Sequence, residues 1–94
     1  MKLKIIYKKI ATKFIKKNTS KISKNEIDEL IVKSMKKIIN REDTNVNLKK
    51  LVDSQNEYFR VRKGNIRIIF SYSKDGEVVI SIVEDIGFRG DIYK

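Results

Sequence analysis

Apolar and polar residues alternate most regularly over residues 57–70, EYFRVRKGNIRIIF. The pair Gly64-Asn65 divides two alternating runs, which predicts a β-hairpin with a two-residue corner and places Arg62 opposite Arg67. Because side chains alternate between the two faces of a strand, one face of this hairpin is predicted to be apolar and the other basic. The apolar face comprises Phe59, Val61, Ile66, Ile68 and Phe70, and the other face comprises Tyr58, Arg60, Arg62 and Arg67.

The first half of the chain predicts one strand and two helices. Residues 2–7 alternate as a strand does, and a short basic amphipathic helix follows them. A second helix is predicted to begin at Ser23, which forms a capping box with Glu26, and to end near Asn40. The apolar positions expected in the core are Leu3, Ile5 and Tyr7 of the strand, Ile10, Ala11, Phe14 and Ile15 of the first helix, and Ile27, Leu30, Ile31, Met35 and Ile38 of the second.

Two further segments frame the hairpin. Residues 40–56 are polar and turn-rich, and the run LKKLV within them predicts only a turn or a docking segment. The pair Asp75-Gly76 predicts a second hairpin, whose register would place Arg67 opposite Glu84. The run that follows, EVVISIVE, is apolar on both sides, which indicates a central strand.

The predicted order of elements is β-α-α-β-β-β in a single domain of residues 1–94. Because helices and strands occur in separate runs, the fold class is α+β, with two N-terminal helices packed on one face of a small antiparallel sheet. The other face has an apolar floor, which either an extended return of residues 85–94 or a partner is expected to cover. The floor comprises Ile69, Val78, Ile80 and Ile82.

The amino-acid composition excludes several kinds of catalytic and metal-binding site. The 94 residues include no cysteine and no histidine, which excludes disulfides, thiolate zinc sites and histidine catalysis. No apolar run approaches the roughly 20 residues needed to span a bilayer, and the charged N-terminal region does not fit a signal peptide. We therefore expect a soluble, cytoplasmic protein with no membrane partner and no small-molecule cofactor.

The net charge of +10 is unevenly distributed. Residues 1–50 contain fifteen of the 22 basic residues but only five of the twelve acidic ones. A basic region of this kind favours nucleic acid or an acidic partner. The lysines taken alone are equally consistent with a solvated surface encoded by an A+T-rich gene.

Arginine follows a different distribution. Four of the five arginines lie in residues 51–94, where the charges balance. Arginine offers a planar fork that binds phosphate through two hydrogen bonds. Like charges opposite each other on paired strands are destabilising by up to about 1 kcal/mol, so an anion is expected beside Arg62 and Arg67. That anion is either an acidic side chain of the protein, such as Glu84, or a phosphate.

The run YFRVRKGNIRIIFSYSKDGEVVISIVEDIGFRGDIYK resembles the signature half of the RelE/ParE superfamily of type II toxin-antitoxin toxins. The similar features are a basic second strand, a hairpin, the third strand RIIF, an apolar fourth strand and the ending G-x-R-x-x-x-Y. The resemblance covers residues 57–94, whereas residues 1–56 match only in the order and length of their elements.

A RelE-like identity implies a toxin that enters the ribosome, cuts mRNA there without a metal and so inhibits translation, with the 2'-hydroxyl of the RNA as nucleophile. Its implied partners are a cognate antitoxin, the ribosome and mRNA. A ParE-like identity implies instead a toxin of the same fold that poisons DNA gyrase and is not a nuclease. A plain RNA-binding module that does not cleave is a third possibility.

The resemblance also implies a set of site residues. The catalytic set comprises Arg60, Arg62, Arg67, Arg89 and Tyr93, and the lysines expected to bind RNA are Lys9, Lys13, Lys16 and Lys63. RelE-like toxins have lysines at the positions of Arg60 and Arg62, and a guanidinium is a poor proton shuttle because it stays protonated. The general base is therefore left open among Tyr93, Glu84 and Lys63.

Overall fold

One five-stranded sheet, with two helices against one of its faces, makes up the fold. The computed structural model describes residues 2–52 and 57–89. The strands lie in the order β1-β5-β4-β3-β2. The α+β class is confirmed. The packing of both helices on one face is also confirmed, because buried residues of α1, of α2 and of that sheet face form a single core cluster. The elements are β1 (Lys2–Tyr7), α1 (Lys9–Lys17), α2 (Lys24–Ile39), β2 (Asn47–Val52), β3 (Glu57–Lys63), β4 (Ile66–Asp75) and β5 (Val78–Phe88).

The prediction of an antiparallel sheet with the order β-α-α-β-β-β is wrong in two respects. First, β1 runs parallel to β5, from the pair Lys2 and Val78 to the pair Tyr7 and Val83, so the sheet is mixed. The two helices lie between β1 and β2, and together with β2, β3 and β4 they form the long connection that the parallel strands β1 and β5 require. Second, the sheet has an additional strand, β2.

Strand β2 occupies part of the segment that was predicted to be a turn or docking segment. It pairs antiparallel with β3, from Asn47 opposite Arg62 to Val52 opposite Glu57. Its sequence, NLKKLV, does not alternate because the strand lies at the edge of the sheet, where Lys49 and both of its ends are exposed. An edge strand with one neighbour needs little apolar patterning to be stable.

Helix α2 follows its prediction closely. The Ser23 hydroxyl caps it by accepting a hydrogen bond of 3.2 Å from the Glu26 backbone N–H, and Asn40 ends it.

In α1, Ala11 is completely buried, but Ile10 is 56% exposed, so the predicted place of Ile10 in the core is wrong. Successive residues are about 100° apart around a helix, and the turn that directs Ala11 into the core directs Ile10 outward. Neither helix is long and apolar enough to cross a membrane, within the ranges that the structure describes.

The β3–β4 hairpin has the predicted register. Arg62 lies opposite Arg67, and Arg60 lies opposite Ile69. Gly64 has φ +59°, which suits the first position of a type II′ corner. The side chains predicted for the apolar face are all buried against the helices: Phe59, Val61, Ile66, Ile68 and Phe70.

The β4–β5 hairpin turns one residue later than predicted. Asp75 pairs with Val78, so the corner is Gly76 followed by Glu77. Gly76 has φ +62° and takes the first corner position, as Gly64 does in the other hairpin. The later corner shifts the register by two residues and places Ser71 opposite Ile82.

A β-bulge adds a third residue to this shift. Between Ile69 and Phe70 the register changes, and Glu84 is the residue of β5 left without a cross-strand partner. Arg67 therefore lies opposite Gly87, and its predicted position opposite Glu84 is wrong. A bulge of this kind bends the strand and re-aims the side chains around it.

Strand β5 continues to Phe88 and so includes the first residues of the predicted tail. The Phe88 ring packs on Phe14 of α1, with the ring centroids 5.1 Å apart. The rest of the predicted return segment, residues 90–94 with Tyr93, lies outside the described residues.

Candidate functional site

The sheet face turned away from the helices carries the three arginines of the β3–β4 hairpin. We call it the arginine face and define it by Tyr58, Arg60 and Arg62 of β3 and by Arg67, Ile69 and Ser71 of β4. The arginine side chains are half-buried. Neighbouring strands lie about 4.8 Å apart, and alternate residues of one strand about 7 Å apart, so the three arginines are close neighbours on this face.

Strand β2 supports Arg60 from the edge of the sheet. One terminal nitrogen of Arg60, Nη2, donates a hydrogen bond of 2.9 Å to the side-chain oxygen of Asn47. Its Nε is buried and has no hydrogen-bond partner among residues 2–52 and 57–89. Lys49 lies directly opposite Arg60 and adds another positive charge. Asn47 and Lys49 were missed from the sequence because β2 itself was not predicted.

The two C-terminal members of the predicted catalytic set are Arg89 and Tyr93. The Arg89 backbone N–H donates a hydrogen bond of 2.7 Å to the carbonyl oxygen of Asn65. Arg89 is therefore held beside the corner of the β3–β4 hairpin, two residues beyond Gly87, the partner of Arg67. Tyr93 lies outside the described residues.

The lysines predicted to bind RNA lie apart from the arginines. Lys9, Lys13 and Lys16 are exposed on α1, in the helix layer. Lys63 alternates with the arginines of β3 and therefore points to the helix side, where its Nζ lies 2.5 Å from a carboxylate oxygen of Glu26. That hydrogen bond from Lys63 holds the pKa of Glu26 below its usual range.

Glu84, the bulged residue of β5, brings a carboxylate to the arginine face. Its Oε2 accepts a hydrogen bond of 2.6 Å from the Ser71 hydroxyl, and its Oε1 lies 2.5 Å from the Lys8 Nζ. Burial alone would raise the pKa of Glu84, but the bonds from Lys8 and Ser71 outweigh it, so the pKa lies below its usual range. The hydrogen bond to Glu84 raises the pKa of Lys8 in turn.

The arginines and the acidic residues of this face lie on different strands. The arginines lie on β3 and β4, whereas Glu84 and Asp85 lie on β5. Asp85 is the cross-strand partner of Ile69, and its carboxylate accepts a hydrogen bond of 2.8 Å from the Ile86 backbone N–H. The side of this face formed by β3 and β4 is therefore basic, and the side formed by β5 carries two carboxylates. The sequence indicates Glu84 as a candidate, but its predicted position opposite Arg67 is wrong because the corner comes one residue later and the bulge leaves no local signal.

Over residues 2–52 and 57–89, no three acidic side chains come together in the way that a metal site requires. No protein-family model and no curated protein matches the chain.

Proposed function

We propose that this protein is the toxin of a type II toxin-antitoxin pair, of the RelE-like kind, and that it cuts mRNA on the ribosome and thereby inhibits translation. The observation that carries the proposal is that three half-buried arginines share one sheet face, with Arg62 directly opposite Arg67. Like charges in this position repel each other, so an anion that binds between them is favoured. The phosphodiester group of RNA is the anion that the RelE-like sequence features imply.

The proposed roles of the arginines follow from where negative charge develops during RNA cleavage. Attack of the 2'-hydroxyl on the adjacent phosphorus places negative charge on the non-bridging oxygens and on the leaving oxygen. Positioned cations aimed at those oxygens are usually the largest catalytic contribution. Arg62 and Arg67 hold the phosphate, and Arg60 or Arg89 stabilises the leaving oxygen. Tyr93 stacks on a base or moves a proton.

The proposed partners use different surfaces. Ribosomal RNA contacts the exposed lysines of α1, which carries no acidic residue. In the cytoplasm, the cognate antitoxin binds the toxin and covers the arginine face together with the apolar side chains beside it. Of these apolar side chains, Ile6 of β1 is 40% exposed, and Ile80 and Ile82 of β5 are half-buried. An amphipathic acidic segment matches such a surface in both charge and hydrophobicity.

The test is an Arg67→Ala variant in a translation extract, with mRNA cleavage followed by primer extension. We expect a loss of roughly 10²–10³-fold in cleavage rate, as for the removal of one oxyanion donor, and relief of growth arrest in cells. Lys74→Ala is the matched control, because Lys74 is an exposed cation on the same strand but beyond the arginine face. Undiminished cleavage by Arg67→Ala would contradict the proposed site.

A ParE-like toxin that acts on DNA gyrase is the second candidate. The observation that favours it is the presence of arginine at both β3 positions where RelE-like toxins have lysines, because a guanidinium does not transfer protons at neutral pH. Induced DNA breaks with intact mRNA in cells that express the protein would replace the first proposal by the second. Binding of RNA without either effect would favour a plain binding module.

A further inference from the structure

Strand β2 adds polar side chains of its own to the edge of the arginine face. It is the last strand of the sheet and pairs with β3. Asn47 lies directly opposite Arg62, and two residues further along Lys49 lies opposite Arg60. Residues directly opposite each other on paired strands point to the same side of a sheet. Both side chains of β2 therefore belong to the side that carries the arginines.

The side chain of Arg60 is held towards Asn47. Although its cross-strand partner is Lys49, Arg60 donates a hydrogen bond of 2.9 Å from Nη2 to the side-chain oxygen of Asn47. Because an asparagine side chain is short, this bond brings the guanidinium group over β2, beside Asn47. Repulsion between Arg60 and Lys49 acts in the same direction. The guanidinium group is therefore fixed at the edge of the sheet before any ligand arrives.

The edge cluster, which we define as Asn47, Lys49 and Arg60, contains two cations and no acid. Within the part of the chain that the structure describes, neither cation forms an ion pair with a carboxylate. Lys49 is exposed, and its long side chain can reach an anion that the Arg60 guanidinium also binds. Lysine and arginine are the usual partners of nucleic-acid phosphates, so the edge cluster has the character of a phosphate site.

The edge cluster lies beside the two arginines that are proposed to hold the scissile phosphate. Arg60 and Arg62 are alternate residues of β3, and such residues are about 7 Å apart. Asn47 connects the two positions, because it lies opposite Arg62 and binds Arg60. One nucleotide of an extended RNA strand spans a separation of this size. An RNA strand that runs towards β2 from the pair Arg62 and Arg67 therefore brings its next phosphate to the edge cluster.

We propose that the edge cluster is a second phosphate subsite, which binds the phosphate next to the scissile one in the RNA strand. This inference rests on the proposed function. Lys49 and Arg60 neutralise the phosphate, and Asn47 is a positioning residue that holds the Arg60 guanidinium in place. With Arg60 at the neighbouring phosphate, Arg89 is the arginine left to stabilise the leaving oxygen.

The first experiment measures the affinity for a fluorescein-labelled single-stranded RNA oligonucleotide by anisotropy over a range of salt concentrations. Lys49→Ala should weaken binding several-fold and make the slope of log K against log salt shallower by about 0.7, as for the loss of one phosphate contact. The matched control is Lys50→Ala on the same strand. Lys50 lies opposite the buried Phe59 and is paired with Glu57 at 2.6 Å, so its removal should change the slope by less than half as much.

The positioning role of Asn47 has a readout of its own. Asn47→Ala should weaken RNA binding by roughly two- to tenfold, because the freed Arg60 side chain must then be ordered on binding. In an Arg60→Ala background the same substitution should have no further effect, since the group that Asn47 holds is absent. Equal losses in the two backgrounds would overturn the positioning role.

The position of the subsite is tested by single-turnover cleavage on ribosomes programmed with synthetic mRNAs. Each mRNA carries one neutral methylphosphonate linkage, on either the 5' or the 3' side of the cleaved bond. On one of these sides it should raise the half-saturating concentration of the wild-type protein several-fold and leave the maximal rate within about twofold. Cleavage by Lys49→Ala should not respond to the same linkage, because the cation that meets this phosphate is gone.

The outcomes separate the two proposals. A salt slope that changes no more in Lys49→Ala than in Lys50→Ala would overturn the subsite but leave the proposed function standing. Methylphosphonates without effect on either side would overturn its position next to the scissile phosphate. If the wild type bound RNA through Lys49 but cut no mRNA on ribosomes, the proposed function would fail and the RNA phosphate subsite would stand. Unchanged RNA affinity in Lys49→Ala with weaker binding of poly-L-glutamate would assign the edge cluster to an acidic polypeptide and overturn the proposal.

Discussion

The same strands β3 and β4 build two faces of opposite character. On the helix face, Phe59 and Phe70 stack with their ring centroids 5.7 Å apart, and Ile68 is fully buried between the sheet and the helices. On the arginine face, like charges lie opposite each other and Ile80 remains partly exposed. The helix face therefore supplies most of the stability, and the arginine face carries groups whose mutual repulsion destabilises the fold.

The largest effect on the free energy of unfolding is expected when isoleucine is replaced by alanine once on each face. Ile68→Ala on the helix face should cost about 2–5 kcal/mol, because it removes a fully buried side chain and leaves a cavity. Ile80→Ala on the opposite face should cost less than half as much, because that side chain already contacts solvent. Urea unfolding of both variants measures the difference. Equal losses would mean that the arginine face is covered as completely as the helix face.

A smaller effect is expected from two buried serines on the helix side. The Ser81 side chain is fully buried, and its hydroxyl has no hydrogen-bond partner in the parts of the chain that the structure describes. Ser81→Ala should therefore be neutral or stabilise the fold by about 1 kcal/mol. Ser34, also fully buried, donates a hydrogen bond of 2.7 Å to the carbonyl oxygen of Leu30 and serves as the matched comparison.

Ser34→Ala should destabilise the protein by about 1 kcal/mol, so the two variants are expected to have opposite or clearly different effects in thermal unfolding. A loss of stability in Ser81→Ala equal to that in Ser34→Ala would contradict the prediction. It would indicate that the Ser81 hydroxyl has a partner in solution.

The smallest effect is expected from the ion pair on the arginine face. The pKa of Glu84 is lower in the folded protein than in the unfolded chain, so its contribution to stability is present above the unfolded pKa of about 4.5. It is lost as the pH falls through the folded-state value. Wild type should be more stable than Glu84→Gln at pH 7, by a small margin because ion pairs with an exposed partner contribute little. The margin should shrink as the pH falls below 4.5 and vanish once Glu84 is protonated in the folded protein. A margin that does not change with pH would exclude the ion pair as its source.

The two hairpins show where local patterning is sufficient. Both corners have glycine in the first position, with positive φ at Gly64 and at Gly76. In the β3–β4 hairpin the alternation of apolar residues on both sides confirms the register that the corner sets. In the β4–β5 hairpin, β5 is apolar on both faces, so alternation does not distinguish one register from another. The corner was placed one residue too early as a result, and the bulge added a further error.

Most of the helix layer and the arginine cluster could be predicted because their signals are local. A capping box, a helical spacing or an alternating run depends only on residues a few positions apart, and these predicted α2 and the shared face of Arg60, Arg62 and Arg67. Strand β2 could not be predicted in this way, because its six residues become a strand only by pairing with β3.

The α+β class, the buried face of the β3–β4 hairpin and the side of the sheet on which the arginines lie all follow from local sequence patterns. Three features become evident only in the fold: β1 lies parallel to β5, Asn47 holds Arg60, and Glu84 reaches the arginine face with Lys8 and Ser71 around it. The physical reason is distance along the chain. Contacts between Lys8 and Glu84, or between β1 and β5, depend on how separate elements pack, and no short stretch of sequence encodes that packing.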